Sequence, residues 1–145
     1  MNISLRPALE SDIDFLINLR DATMRDYLEQ MDMPVSYEDY LARIEYKFDC
    51  AQIITLDEMP IGLFKAEHQA ENKLWNIIQI QVHPAYQNSK IGSYLLKSVI
   101  ENARSARGKV GLSVLKSNPA YQLYQRLGFN KVSEDQYEYQ LELCA

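Results

Sequence analysis

The sequence predicts a single α/β domain over residues 1–145, with strands outnumbering helices. Three observations carry this. Short segments dense in branched and aromatic residues alternate with segments of helical spacing. Helix starts carry capping residues or a first-turn proline. No repeat, low-complexity tract or linker interrupts the pattern, and 145 residues are enough for one substantial core.

Ser11 precedes an amphipathic run through Ile13, Leu16 and Ile17, with Asp14 three residues on. That is a capping-box-like helix start. The pattern breaks at Met33-Pro34, and Ser36 with Asp39 opens a second helix through Tyr40, Leu41, Ile44 and Phe48. AQIITLDEMPIGLFKAEHQ reads as a strand, a turn at Asp57–Pro60 and a second strand. LWNIIQIQVHP is a third strand, ended by proline. From Ile91 apolar residues recur at 91, 95, 99 and 103 until Gly108 stops them, a helix of about four turns. VGLSVL is a strand, Asn118-Pro119 starts a helix that Gly128 ends, and NKVSE with YEYQLEL closes the chain as an antiparallel pair.

Composition narrows the function. Hydrophobic residues make up 47% and charged residues 24%, a globular balance. No apolar run approaches the ~18 residues of a membrane span. MNISLRPALESD lacks the basic and apolar regions of a signal peptide. Cys50 and Cys144 have no metal-ligand spacing and read as reduced thiols of a cytoplasmic protein, with no metal expected. Net charge is −5, but its placement says more. Residues 87–131 carry eight Lys/Arg against Glu101 alone, whereas residues 1–86 carry seven against 15 Asp/Glu. An anionic ligand on the basic part is expected; a broad nucleic-acid surface is disfavoured at a pI near 5.0.

The basic part opens with HPAYQNSKIGSYLL, residues 83–96. A strand feeding a polar turn into a helix start aims unpartnered amides at that turn, a setting for a pyrophosphate. Ser89 to Ser93 are the donors, Gly92 admits close approach, and Gln87 and Ser93 add side-chain bonds. The pattern is neither a P-loop nor a dinucleotide fingerprint. An ordinary helix start remains the alternative.

Followed by the basic helix, a strand and NPAYQLYQRLGF, this stretch resembles the GNAT (N-acetyltransferase) superfamily. The likeness spans nearly the whole chain, including the LRPALESD opening. It implies a central mixed, mostly antiparallel sheet with a V-shaped splay, flanked by about four helices. It also implies acetyl-CoA as cosubstrate, its pyrophosphate gripped by Gln87, Asn88, Ser89, Lys90, Ile91, Gly92 and Ser93. Lys90 stands where the family has its first glycine, a substitution that is harmless only if its φ is not positive. Ile80 and Val82 would offer main-chain groups, Val82 acting as the oxyanion donor to the thioester carbonyl. Asn118 would bond the pantetheine arm, a helix cap being its plainer role. Tyr124 would protonate the departing thiolate as the catalytic residue, and Tyr121 would line the channel or pack.

Where relatives place a glutamate base this chain has Gln79, Gln81 and Ser113, none a proton acceptor near neutrality. Glu67 or Glu71 through water, His83 or His68, or a neutral substrate are the alternatives. The expected reaction is direct transfer, in a ternary complex, to a primary amine of a small molecule, peptide or protein. Acidic residues such as Asp26, Glu29, Asp32, Glu38 and Asp39 would favour a cationic acceptor. Homodimers are common in the family. The alternative is a non-catalytic acyl-CoA-binding or sensor module of the same fold.

Overall fold

The structure, a computed structural model, describes residues 2–144, without the side chains of Asn88 and Ser89. Its strands are β1 (Ile3–Pro7), β2 (Ala51–Leu56), β3 (Met59–Gln69), β4 (Leu74–Val82), β5 (Lys109–Leu115), β6 (Asn130–Glu134) and β7 (Glu138–Cys144). The α-helices are α1 (Ile13–Gln30), α2 (Tyr37–Glu45), α3 (Ile91–Ser105) and α4 (Ala120–Leu127). The strands form one mixed sheet in the order β1-β2-β3-β4-β5-β7-β6. The pairs β1–β2, β2–β3, β5–β7 and β6–β7 are antiparallel, and β4–β5 is parallel. This is the α/β class expected. No helix among the described residues is long and apolar enough to cross a membrane.

Packing divides the chain into two compact units, residues 1–66 with 79–92, and 67–78 with 93–145. In the first, Leu16 and Leu19 of α1 and Ile44 of α2 cluster with Ala51, Ile53 and Leu63 of β2 and β3. All are buried, and each Leu or Ile side chain gains about 1.5–3 kcal/mol by it. In the second, β5 runs against β7 from Lys109–Cys144 to Leu115–Glu138, and Val110, Leu112, Leu141 and Leu143 are buried. The β4–β5 ladder runs from Leu74–Lys109 to Ile77–Leu112, while β4 itself continues to Val82.

Several boundaries depart from expectation. β1 has no counterpart in the sequence reading: its five residues, ISLRP, are a short run ended by proline and become a strand by pairing with β2 across some fifty positions. Ser11 does not cap α1; a 3-10 turn at Glu10–Asp12 leads in, and the Asp12 carboxylate accepts from Arg6 at 2.9 Å twice and from the Leu9 amide at 2.8 Å. These bonds hold the Asp12 carboxyl below its usual range, the Arg6 guanidinium being the main cause. Ser36 does cap α2, accepting from the Asp39 amide at 3.2 Å.

That helix stops at Glu45 rather than Phe48, because Tyr46 turns extended at ψ 121° and Lys47 then turns left-handed at φ 52°. The Lys65 ammonium, fully buried, donates to the carbonyls of Arg43, Ile44 and Tyr46 and satisfies the helix end. The hairpin turn narrows to Asp57-Glu58, both at positive φ, as two-residue connections require. Pro60 therefore lies inside β3, opposite Thr55, and the register slips there so that Ile54 pairs with Gly62.

Candidate functional site

The mouth of α3 is assembled by local bonds. β4 ends at Val82, and Pro84 begins a 3-10 turn over Pro84–Ser89. The His83 Nδ1 accepts from the Ala85 amide at 3.1 Å, and the Tyr86 amide donates to the His83 carbonyl at 2.8 Å. Gln87 Nε2 donates to the Val82 carbonyl at 3.1 Å, tying the turn to the last residue of the strand. Lys90 then takes φ 65°, ψ 20°, the left-handed region, and α3 begins at Ile91, whose side chain is buried. The opening amides of such a helix have no intrahelical acceptor and carry the positive end of its dipole.

Two residues here bear on the choice between an ordinary helix start and an anion seat. Gly92 has no positive φ, and a Cβ built on it would meet nothing within 4 Å. Neither backbone strain nor crowding demands glycine there, so the open space above it is the feature glycine preserves. Lys90 is the reverse case: its φ is positive, the condition under which lysine in place of glycine is not harmless. An L-residue in that region costs about 1–2 kcal/mol. The side chains of Asn88 and Ser89, named as partners of the anion, lie outside the described residues.

Upstream, Ile80 is half-buried and Val82 nearly buried in β4. The His83 amide donates to the Ile61 carbonyl at 2.8 Å, pinning the strand's end to β3. Sequence reasoning missed the residue that permits this approach. A Cβ on Gly62 would lie 2.4 Å from the Gln81 carbonyl oxygen and 3.3 Å from the Val82 Cα. A lone glycine inside a strand pattern was the available signal.

Asn118, Tyr121 and Tyr124 belong to the second unit. Asn118 Oδ1 accepts from the Ala120 amide at 2.9 Å, so its plainer role, satisfying the start of α4, is the one observed. Tyr121 packs its ring on Tyr139 at 4.5 Å between centroids. Tyr124 is buried on α4, its ring edge-on to Phe129 at 5.9 Å. Burial pushes its hydroxyl up to about 12, so the phenol keeps its proton throughout the neutral range.

Among the described residues no strong proton acceptor stands out. Gln79 and Gln81 are buried, and Ser113 is exposed. The His83 Nδ1 is engaged by Ala85, and His68 stacks on Trp75 with centroids 4.0 Å apart. Glu67 accepts from Gln69 Nε2 at 3.1 Å, and Glu71 is exposed. Among the described residues no group of three or more His, Cys, Asp or Glu is arranged to hold a metal ion.

A family profile for the acetyltransferase (GNAT) domain matches residues 49–131. No curated protein matches the sequence. Solved structures do match the fold. A PaiA N-acetyltransferase from Thermoplasma acidophilum in complex with coenzyme A superposes with a TM-score of 0.75 at 18% identity, covering 100% of both chains. An acetyltransferase from Thermus thermophilus gives 0.78 at 16%, covering 100% of this chain and 98% of that one. The ribosomal-protein-S18-alanine N-acetyltransferase from Escherichia coli gives 0.69 at 16%, covering 99% and 94%.

Proposed function

The chain belongs to the GNAT acetyltransferase family, and from that premise we propose that it is an acetyl-CoA-dependent N-acetyltransferase acting on a primary amine. The acceptor is a small molecule or the N-terminus of a peptide or protein, and transfer is direct, in a ternary complex. The observation that carries the reading is the mouth of α3. A left-handed turn at Lys90 delivers the first amides of a helix, which have no intrahelical acceptor, beside a Gly92 whose missing side chain leaves open space. A diphosphate fits that need without further machinery. The Thermoplasma relative, solved with coenzyme A, and the Escherichia coli enzyme, which acts on a protein alanine, support the cosubstrate and the acceptor class.

In this reading the Gln87 bond to Val82, the left-handed Lys90 and the amides of Ile91, Gly92 and Ser93 seat the diphosphate. The turn over Pro84–Ser89 contributes Asn88 and Ser89. Main-chain groups of Ile80 align the pantetheine arm and the Val82 amide polarises the thioester carbonyl, while the family resemblance assigns Asn118 and Tyr121 to the same arm. The amine nitrogen attacks that carbonyl carbon, the C–N bond forms, and the C–S bond breaks. Tyr124 donates its hydroxyl hydrogen bond to the departing sulfur. A phenol near 12 is a weaker acid than a thiol, so as its proton passes to the sulfur the phenolate oxygen takes the one the amine gives up, leaving the amide, the coenzyme thiol and a neutral Tyr124. Two readings go with this: one domain over 1–145, and a cytoplasmic protein able to form homodimers, consistent with Cys50 and Cys144 lying outside any disulfide.

A second reading, a non-catalytic acyl-CoA sensor, is favoured by the missing carboxylate at Gln79, Gln81 and Ser113 and by the strain at Lys90. Calorimetric titration with acetyl-CoA, followed by thiol release over a panel of amines, separates the two. Turnover establishes the enzyme; tight binding without turnover across the panel establishes the sensor. Tyr124→Phe is expected to lower the rate of thiol release about 10²-fold with coenzyme affinity unchanged, the scale of one lost proton-transfer group. A large affinity loss instead would make Tyr124 a binding or packing residue.

A further inference from the structure

Asp12, Thr55 and Lys65 show how this chain treats a buried polar side chain. Asp12 is held by Arg6 and the Leu9 amide, Thr55 by Ser4, and Lys65 by three carbonyls. Gln79 is treated differently. It lies in β4 with 6% of its surface exposed, and neither Nε2 nor Oε1 has a hydrogen-bond partner among the described residues. An unmet donor and an unmet acceptor in a dry place both destabilise the fold. Methionine, nearly the same shape, would occupy the position without that penalty. Within the protein, stability gives no reason for glutamine, so the partner of its carboxamide is sought outside the chain.

We propose that Gln79 is a specificity-determining residue whose carboxamide is kept for an amide group carried by the amine acceptor. The proposal rests on the acyl-transfer reading above. The choice of ligand follows from what each group offers. A carboxamide presents one donor face and one acceptor face side by side. A carboxylate only accepts and an ammonium only donates, so either would leave one atom of Gln79 unmet. A primary amide or a peptide unit answers both at once. Outside water each of those bonds is stronger, and each rejects an analogue that lacks its counterpart. Gln79 precedes Val82 by three residues, about 10 Å along an extended strand. That leaves room for several bonds between the acceptor's amide and its reacting nitrogen.

The test uses three amines with acetyl-CoA: β-alaninamide, its N-methyl amide and β-alanine methyl ester. Thiol release is measured for the wild type and Gln79→Met. The wild type is expected to favour the amides over the ester about 10-fold in kcat/KM, the discrimination of roughly one hydrogen bond. Gln79→Met is expected to lose that preference and to melt about 3 °C or more higher in the absence of ligand. The side-chain NH2 signals of Gln79, assigned by their loss in Gln79→Met, should shift on adding either amide and stay unmoved by the ester. Preference for the primary over the N-methyl amide would assign a small-molecule carboxamide; equal use would assign a peptide unit. Acetylation with no amide preference overturns the role of Gln79 and leaves acyl transfer intact. Shifts of the Gln79 signals with no thiol release keep the amide site and overturn acyl transfer. A lower melting temperature for Gln79→Met, with unmoved signals, makes the amide structural and ends the proposal.

Discussion

Replacing Lys90 with glycine and, separately, with alanine isolates the backbone from the charge at the mouth of α3. Lys90 sits at φ 65°, ψ 20°, where an L-residue costs about 1–2 kcal/mol and glycine nearly nothing. The same conformation presents the first amides of α3, so a lysine loop that relaxes out of it must be re-formed when a diphosphate binds. Glycine removes that cost, and alanine retains it. Both variants lose the exposed ammonium, whose contact with a phosphate at physiological salt contributes about 0.2–1 kcal/mol. Lys90→Ala should therefore bind coenzyme A slightly more weakly than wild type. Lys90→Gly should bind about 5-fold or more tightly than Lys90→Ala, corresponding to about 1 kcal/mol. Calorimetry at about 0.15 M salt, with urea unfolding of all three proteins, reads both terms. Equal affinity for the glycine and alanine variants would refute the claim that this left-handed turn presents the diphosphate site.

Two further perturbations probe the scaffold. Gly62→Ala would place a methyl group 2.4 Å from the Gln81 carbonyl oxygen, a main-chain atom with no easy retreat, so the end of β4 must shift. Overpacking of this kind costs about 1–3 kcal/mol, and urea unfolding together with loss of coenzyme binding should report it; unchanged stability would show that β3 and β4 separate freely. Lys65 tests the buried ammonium. Burial, with Arg43 and Arg20 adding to it and Cys50 opposing, pushes Lys65 down to about 8. Between about 8 and 10.5 the folded chain has released that proton while the unfolded chain still holds it, so this residue's contribution to stability rises with pH. Relative to Lys65→Met, the wild type should gain up to about 3 kcal/mol across that window in pH-dependent urea unfolding. A flat or falling difference would mean the three carbonyls stabilise the ammonium more than burial opposes it.

Local pattern was enough for most of this fold. The spacing at 91, 95, 99 and 103 sets α3, Ser36 sets the start of α2, and Gly128 stops α4 at φ 109°. Each depends on neighbours within a turn or two, and side-chain chemistry at that range is visible in a string of letters. The order of HPAYQNSKIGSYLL, basic helix, strand and NPAYQLYQRLGF was likewise enough to mark the family, which the match over residues 49–131 bears out.

What tertiary structure decided arises from partners far apart in the chain. β1 exists because β2 lies beside it, and the carbonyls at the end of α2 are satisfied by a lysine some twenty positions later. The demand for glycine at Gly62 comes from a carbonyl nineteen residues on, and the unmet amide of Gln79 becomes evident only once the side chains around it are placed. Periodicity and capping act over a few residues, so they were legible from the start. Burial, close approach and hydrogen-bond satisfaction depend on which distant segments meet, and only the folded chain assigns those.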